Sequence, residues 1–330
     1  MSTTIKRYLF ILISIISLNS CEDQITFIPD TKSSLQYFGA DYRSTFKDLN
    51  NSIYEFEFDP IKDAGLTFPD ESNIMFQANS FQYEDGNKNL TCQKVKARIT
   101  FIRTQKEMVA NQIGTNATEN RSLVSGGMVD VHIYCGDKEL MLIPGKNYTL
   151  RLTLDQANFK DEFEMFYGVE KEFGTVWEEA DNDPNVQNNI QRSEWRSPNT
   201  GGVFEGIICF PEKLKWVNCD YFTKFKDLDK TEPCIKATIA NVGDTIKLIS
   251  YCVFKNLNIV IAPCCNPAGT EEVCFGPIPI GEDVEYIIVG KGKVDYYLGH
   301  VRKLVEKNEH TSIQVNKSTL DEIKMYISTL

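Results

Sequence analysis

Several short segments of this chain switch between apolar and polar residues at every step, and that period constrains the fold more than anything else in it. "VKARITFI" sets Val95, Ala97, Ile99 and Phe101 against Lys96, Arg98 and Thr100. "VDVHIYC" sets Val129, Val131, Ile133 and Cys135 against Asp130, His132 and Tyr134. "YTLRLTL" separates Tyr148, Leu150, Leu152 and Leu154 from Thr149, Arg151 and Thr153, and "IYEFEF" puts Tyr54, Phe56 and Phe58 opposite Ile53, Glu55 and Glu57. Side chains in a strand alternate between its faces, so each segment presents one apolar face that must be covered. "EDGN" at 84–87 and "PGK" at 144–146 supply turns between strands. An antiparallel sandwich satisfies these conditions, because a second sheet covers each apolar face.

Further along, "CIKATIA", "IKLISYCVF", "LNIVIAP" and "VEYIIVG" read as more strands, and "GKGK" at 290–293 as a hairpin turn. At the C-terminus Thr319 and Glu322 have capping-box spacing, and Leu320, Ile323, Ile327 and Leu330 recur at helical spacing. The expectation is an all-β protein: two antiparallel sandwich domains joined by a long linker, with a short C-terminal helix packed on its own domain. Residues 53–155 form the first sandwich and 203–330 the second. Residues 156–202, rich in Asn, Asp, Pro and Gly, form the linker.

The N-terminus carries an address. Lys6 and Arg7 precede an apolar run from Tyr8 to Leu18. Eleven helical residues span about 16 Å, short of a bilayer core of about 30 Å, so residues 1–20 read as a signal peptide. "LNSC" at 18–21 resembles the lipobox of bacterial lipoproteins, with Asn19 a less usual residue at its place. The resemblance implies acyl chains on Cys21 and an anchor in a membrane, with 21–52 as a tether. Glu22 and Asp23 resemble the acidic export signal of Bacteroidetes lipoproteins, which implies outer-membrane location and display at the cell surface.

Composition narrows the partners. The formal charge is −11, and removing Lys6 and Arg7 with the leader makes it −13, which disfavours nucleic acid. Of ten cysteines, nine remain beside Cys21, an odd number in a compartment that permits disulfides. Cys264, Cys265 and Cys274 form the single local cluster and read as a disulfide or buried thiols. No CxxC pair supplies a metal cage, so neither metal nor cofactor is expected.

Catalytic signatures are missing: GxSxG, HExxH and GxxxxGK[ST] do not occur. His132 lies on the polar face of its strand and reads as solvated. Trp216, Asn218 and Asp220 are the candidate ligand contacts, since an aromatic platform beside an amide and a carboxylate suits a sugar or a cation. The plainer reading buries the tryptophan and spends Asn218 and Asp220 on their own backbone.

"LVSGGM" at 123–128, "KELMLIPGK" at 138–146 and "LKWVNCDYF" at 214–222 together resemble an uncharacterised family of two-domain Bacteroidetes lipoproteins. In that family the last segment runs LGWINCDRF, so Tyr221 stands where the family has arginine. The first domain of the family is similar to the sandwich of zonula-occludens and netrin-receptor proteins, which implies an interaction module. "PIPIGED" at 277–283 resembles a turn of transthyretin-like sandwiches. The expected function is therefore a non-catalytic envelope lipoprotein that binds, adheres or scaffolds, its partner an envelope protein or a glycan. Two alternatives stand beside it: a divergent hydrolase or carbohydrate-active enzyme with an inter-domain site, and a redox or metal protein built on the Cys264, Cys265 and Cys274 cluster.

Overall fold

A computed structural model describes residues 35–38, 41–49, 53–154, 162–171, 174–180, 190–225, 228–240, 245–263 and 272–330. The expectations for the signal peptide and Cys21 lie outside the described residues, as do Cys264 and Cys265. Residues 34–330 form one compact unit. No helix among the described residues is long and apolar enough to cross a membrane.

The expected sandwich is present and larger than its predicted span. One sheet has the order β11 (Gly174–Glu179), β10 (Glu164–Lys171), β14 (Lys215–Phe222), β7 (Leu123–Cys135), β6 (Val95–Ile102), β2 (Ile53–Phe58). β8 (Lys138–Leu142) adds to β7 where β14 stops, and β5 (Phe81–Tyr83) adds to β8. The facing sheet has the order β12 (Gln191–Arg196), β13 (Val203–Cys209), β9 (Tyr148–Thr153), β4 (Asn73–Phe76), β3 (Ala64–Thr67). Ile99, Phe101, Val129 and Val131 from one sheet bury against Ile74, Leu150, Leu152 and Ile207 from the other. The alternating residues thus sit inside, as their period requires.

Three expectations need correction. The segment 156–202 is not a bare linker, because β10, β11 and β12 lie within it and pair into both sheets. The boundary at 203 is also displaced: β13 pairs with β9 and β14 with β7, so residues 203–222 complete the first sandwich. The 21–52 tether is docked in its second half. β1 (Leu35–Tyr37) runs parallel to β17 (Ile246–Phe254), and helix α1 (Asp41–Thr45) follows. Phe38, Tyr42 and Phe46, four residues apart, are fully buried in one core.

The C-terminal part is not a simple antiparallel sandwich. Its sheet has the order β1, β17, β21 (Asp283–Lys291), β22 (Tyr296–Leu304), β23 (His310–Ser318), β16 (Cys234–Ile239), β19 (Glu272–Cys274). β18 (Val260–Ile261) pairs with β17, and β15 (Lys230–Thr231) with β20 (Ile278–Pro279). Two pairings are parallel, β1 with β17 and β16 with β23. Strands β17 and β21 are buried on both faces. Ile249, Tyr251, Val253, Ile287 and Val289 pack toward the first sandwich, while Ile246, Leu248, Val284 and Ile288 pack under Ile235, Ala237, Ile313 and Val315. Double burial is why these strands read as unbroken apolar runs.

Between the two sheet systems lies a second core. The outer face of the β7 sheet supplies Ile102, Met128, Phe166, Trp177 and Trp216; helix α2 (Gln105–Ala110) supplies Met108 and Val109. The expected C-terminal helix, α3 (Leu320–Ile327), closes this core with Ile323 and Ile327, and Thr319 and Glu322 make its capping box. Lys324 Nζ reaches Asp48 Oδ2 at 2.6 Å, which fastens α3 to the segment after α1. This packing does not fill all the space between the two sheet systems: a hollow of about 270 Å³ is lined by Asn116, Arg121, Lys171 and Thr175 of the first sandwich and by Ala262 and Pro263 of the C-terminal part.

Candidate functional site

The structure brings two of the sequence motifs together, for a structural reason. β7 and β14 pair from Lys215 opposite Val131 to Asn218 opposite Met128, then resume at Asp220 opposite Ser125. Gly126 and Gly127 therefore face the single residue Cys219, which is a β-bulge. Only glycines serve here. A Cβ on Gly126 would lie 2.4 Å from Phe163 Cε1 and 2.7 Å from the Cys219 carbonyl oxygen, and Gly127 has φ +145°.

Asp220 fills the bulge. It is fully buried, and the Gly126 amide donates to its Oδ1 at 3.1 Å. Burial pushes its carboxyl up to about 8, against the opposing pull of Asn218 and the Gly126 and Gly127 amides. Its Oδ2 lies 2.5 Å from the Asn218 side-chain amide, while Asn218 Oδ1 has no partner. Trp216 is 5% exposed and stands edge-on to Trp177 at 6.3 Å, whose Nε1 donates to the Gly114 carbonyl at 2.7 Å. All three predicted contacts are turned inward; Trp216 is buried as in the plainer reading, but Asn218 and Asp220 bond each other, and Asp220 bonds Gly126 of β7, rather than their own backbone.

Nor is His132 solvated. Its Nδ1 meets Glu139 Oε1 at 2.5 Å and its Nε2 meets Asp130 Oδ2 at 3.0 Å. Hydrogen bonding to Asp130 raises its pKa, burial opposes, and Glu139 adds to the rise. Both ring nitrogens are engaged, so the ring serves as a clamp between β7 and β8 and has no free lone pair for a base or a metal ligand.

Cys274 bonds Cys234, its direct cross-strand neighbour on β16, and Cys92 bonds Cys135. Cys274 is therefore not tied to Cys264 or Cys265, as the expected cluster required. Among the described residues, no group of three or more His, Cys, Asp or Glu is placed to hold a metal ion.

Sequence reasoning missed an open hollow at the end of the sandwich. It encloses about 970 Å³ among the Asp59–Ile61 turn, Asn79, the 88–94 loop, Ile143 and Lys146. Lys88, Lys94 and Lys146 line it and Asp59 is its one carboxylate. Asp59 already holds Lys62 at 3.3 Å. The rim is held in place from beneath. Asp85 caps the Asn87 amide and Asn87 the Asn89 amide, both at 2.9 Å. The Thr91 amide donates to Tyr83 Oη at 3.2 Å, and the Cys92–Cys135 disulfide ties the loop to β7. Ile61, 66% exposed, offers an apolar contact at the edge. Three lysines scattered over 58 positions of sequence leave no linear signature, which is why the local patterns concealed the hollow. No protein-family model matches this chain, and the comparison with curated proteins finds no match.

Proposed function

We propose that this chain is a non-catalytic cell-envelope lipoprotein, anchored through Cys21 and displayed from the outer membrane, whose work is binding or scaffolding. The observation that carries the binding reading is the hollow lined by Lys88, Lys94 and Lys146, a basic concavity on a chain of net charge −11. Loop ends of a sandwich are where a rigid scaffold presents contacts, and a rim organised before binding keeps the entropic cost low. Its chemistry suits an anionic group, as on an acidic envelope glycan or an acidic stretch of an envelope protein. The Cys92–Cys135 and Cys234–Cys274 disulfides support residence in an oxidising compartment. The resemblance of 123–128 and 214–222 to two-domain Bacteroidetes lipoproteins supports the same assignment.

The test is a pull-down from the native envelope with the wild-type chain and with Lys88→Glu/Lys94→Glu/Lys146→Glu. Retention of the same partner by the triple variant would refute the role of the hollow. Cys21→Ser should release the chain into the soluble fraction; unchanged membrane retention would refute the anchor.

A further inference from the structure

We propose that Cys209 and Cys219 are the site of a further disulfide beside the two among the described residues, one that crosses the core and joins the two sheets of the sandwich. Each is the inward-facing residue of its strand: Cys209 ends β13 opposite Leu150, and Cys219 lies in β14 opposite Met165. The strands belong to different sheets, yet the two sulfurs stand 3.6 Å apart and both side chains are fully buried. A disulfide needs about 2.05 Å, so closure asks for an approach of about 1.5 Å. Cys252, the other buried free thiol among the described residues, packs in a different core.

The position gives the bond a purpose. Cys219 is the residue that the Gly126–Gly127 bulge faces, between Asn218 and Asp220. A covalent tie there holds the bulge, and with it the buried carboxylate, against the opposite sheet.

The chemistry is thiol–disulfide exchange. One cysteine thiolate attacks a sulfur of a low-molecular-weight or protein disulfide, which leaves as a thiolate; the second cysteine then displaces the remaining half. Cys209 and Cys219 lose two protons and two electrons, and the oxidant's disulfide is reduced to two thiols. Neighbouring Cys209 and burial push the Cys219 thiol up, so the closed core holds too little thiolate and admits no oxidant. The bond therefore forms during folding, before the sheets meet. In the cell it rests on the export reading, because only an exported chain meets such an oxidant while it folds.

The experiment separates the two ideas. The full chain is reduced and unfolded, refolded with oxidised and reduced glutathione, alkylated in denaturant without reductant, and digested for mass spectrometry. The expected result is a linked Cys209–Cys219 peptide beside Cys92–Cys135 and Cys234–Cys274. Alkyl label on both Cys209 and Cys219 while the other two bridges have formed would overturn the proposal. A second measurement compares wild type with Cys209→Ala/Cys219→Ala in thermal unfolding. The gap in midpoint should be several degrees larger under oxidising than under reducing conditions, and an equal gap in both overturns the proposal. Reduced Cys92 and Cys135 in chain taken from the native envelope would count against export alone.

Discussion

Gly126 donates its backbone amide to Asp220 Oδ1 at 3.1 Å, so a glycine of β7 and a carboxylate of β14 hold each other inside the protein. The glycine makes room for the bulge and the carboxylate satisfies the amide that the bulge frees. Removing either partner should be felt throughout the sandwich, since β7 and β14 lie at the centre of their sheet.

Gly126→Ala forces a methyl group against the Phe163 ring and the Cys219 carbonyl. Overpacking of this kind costs about 1–3 kcal/mol, and here the obstruction includes backbone. Denaturant unfolding should show a midpoint shift of that size. A variant as stable as wild type would mean that the bulge tolerates a side chain.

Asp220 makes stability depend on pH. Its folded pKa, about 8, lies above the usual carboxylate value, so the folded state keeps a proton that the unfolded state releases. Stability from this group should fall as pH rises from about 4 toward 8. Asp220→Asn removes the titration and keeps a group able to hydrogen-bond, so its advantage over wild type should grow with pH across that window. Parallel stability profiles for the two chains would show that Asp220 is ionised in the folded state.

His132 contributes a slope of the same sign for the opposite chemical reason. Asp130 and Glu139 favour its charged form and raise its pKa, while Arg98 stands opposite on β6 and Tyr134 stacks at 6.0 Å. Its contribution is complete below about 6.5, the unfolded value, and is lost as pH rises through the higher folded value. His132→Gln should flatten the profile in that range while leaving the Asp220 component in place. A titration of the ring followed by NMR that shows an unshifted or lowered midpoint would contradict the clamp.

Phe46→Ala tests whether the segment before the first sandwich belongs to the fold. Phe46 is fully buried, its ring tilted against that of Tyr42 at 4.6 Å, and Tyr42 in turn faces Tyr251 of β17. Truncating a buried phenylalanine costs about 3–5 kcal/mol, and the midpoint of thermal unfolding should drop accordingly. A change below about 0.5 kcal/mol, typical of an exposed position, would make 35–49 a tether after all.

The strands of the first sandwich and the C-terminal helix were legible because their signals are local. Val95 to Phe101 alternates within one strand, and Thr319 with Glu322 caps one helix turn. The segment around Phe38, Tyr42 and Phe46 escaped notice: its helical turn is too short to show a period, although the four-residue spacing is present. β10 to β12 were hidden by the polar composition around them. Trp216, Asn218 and Asp220 were found as residues, but the role of Asp220 depends on Gly126, 94 positions away.

Local alternation by itself determined that this chain is built of strands with faces to cover, because side-chain direction follows from the backbone period alone. Which strand lies beside which was decided only in three dimensions. β13 and β14 joined the earlier strands, β1 lay down along β17, and lysines from two loops lined one hollow. Each of these depends on contacts between residues far apart in sequence, where the free energy of burial is shared among many side chains and leaves no mark on any one segment.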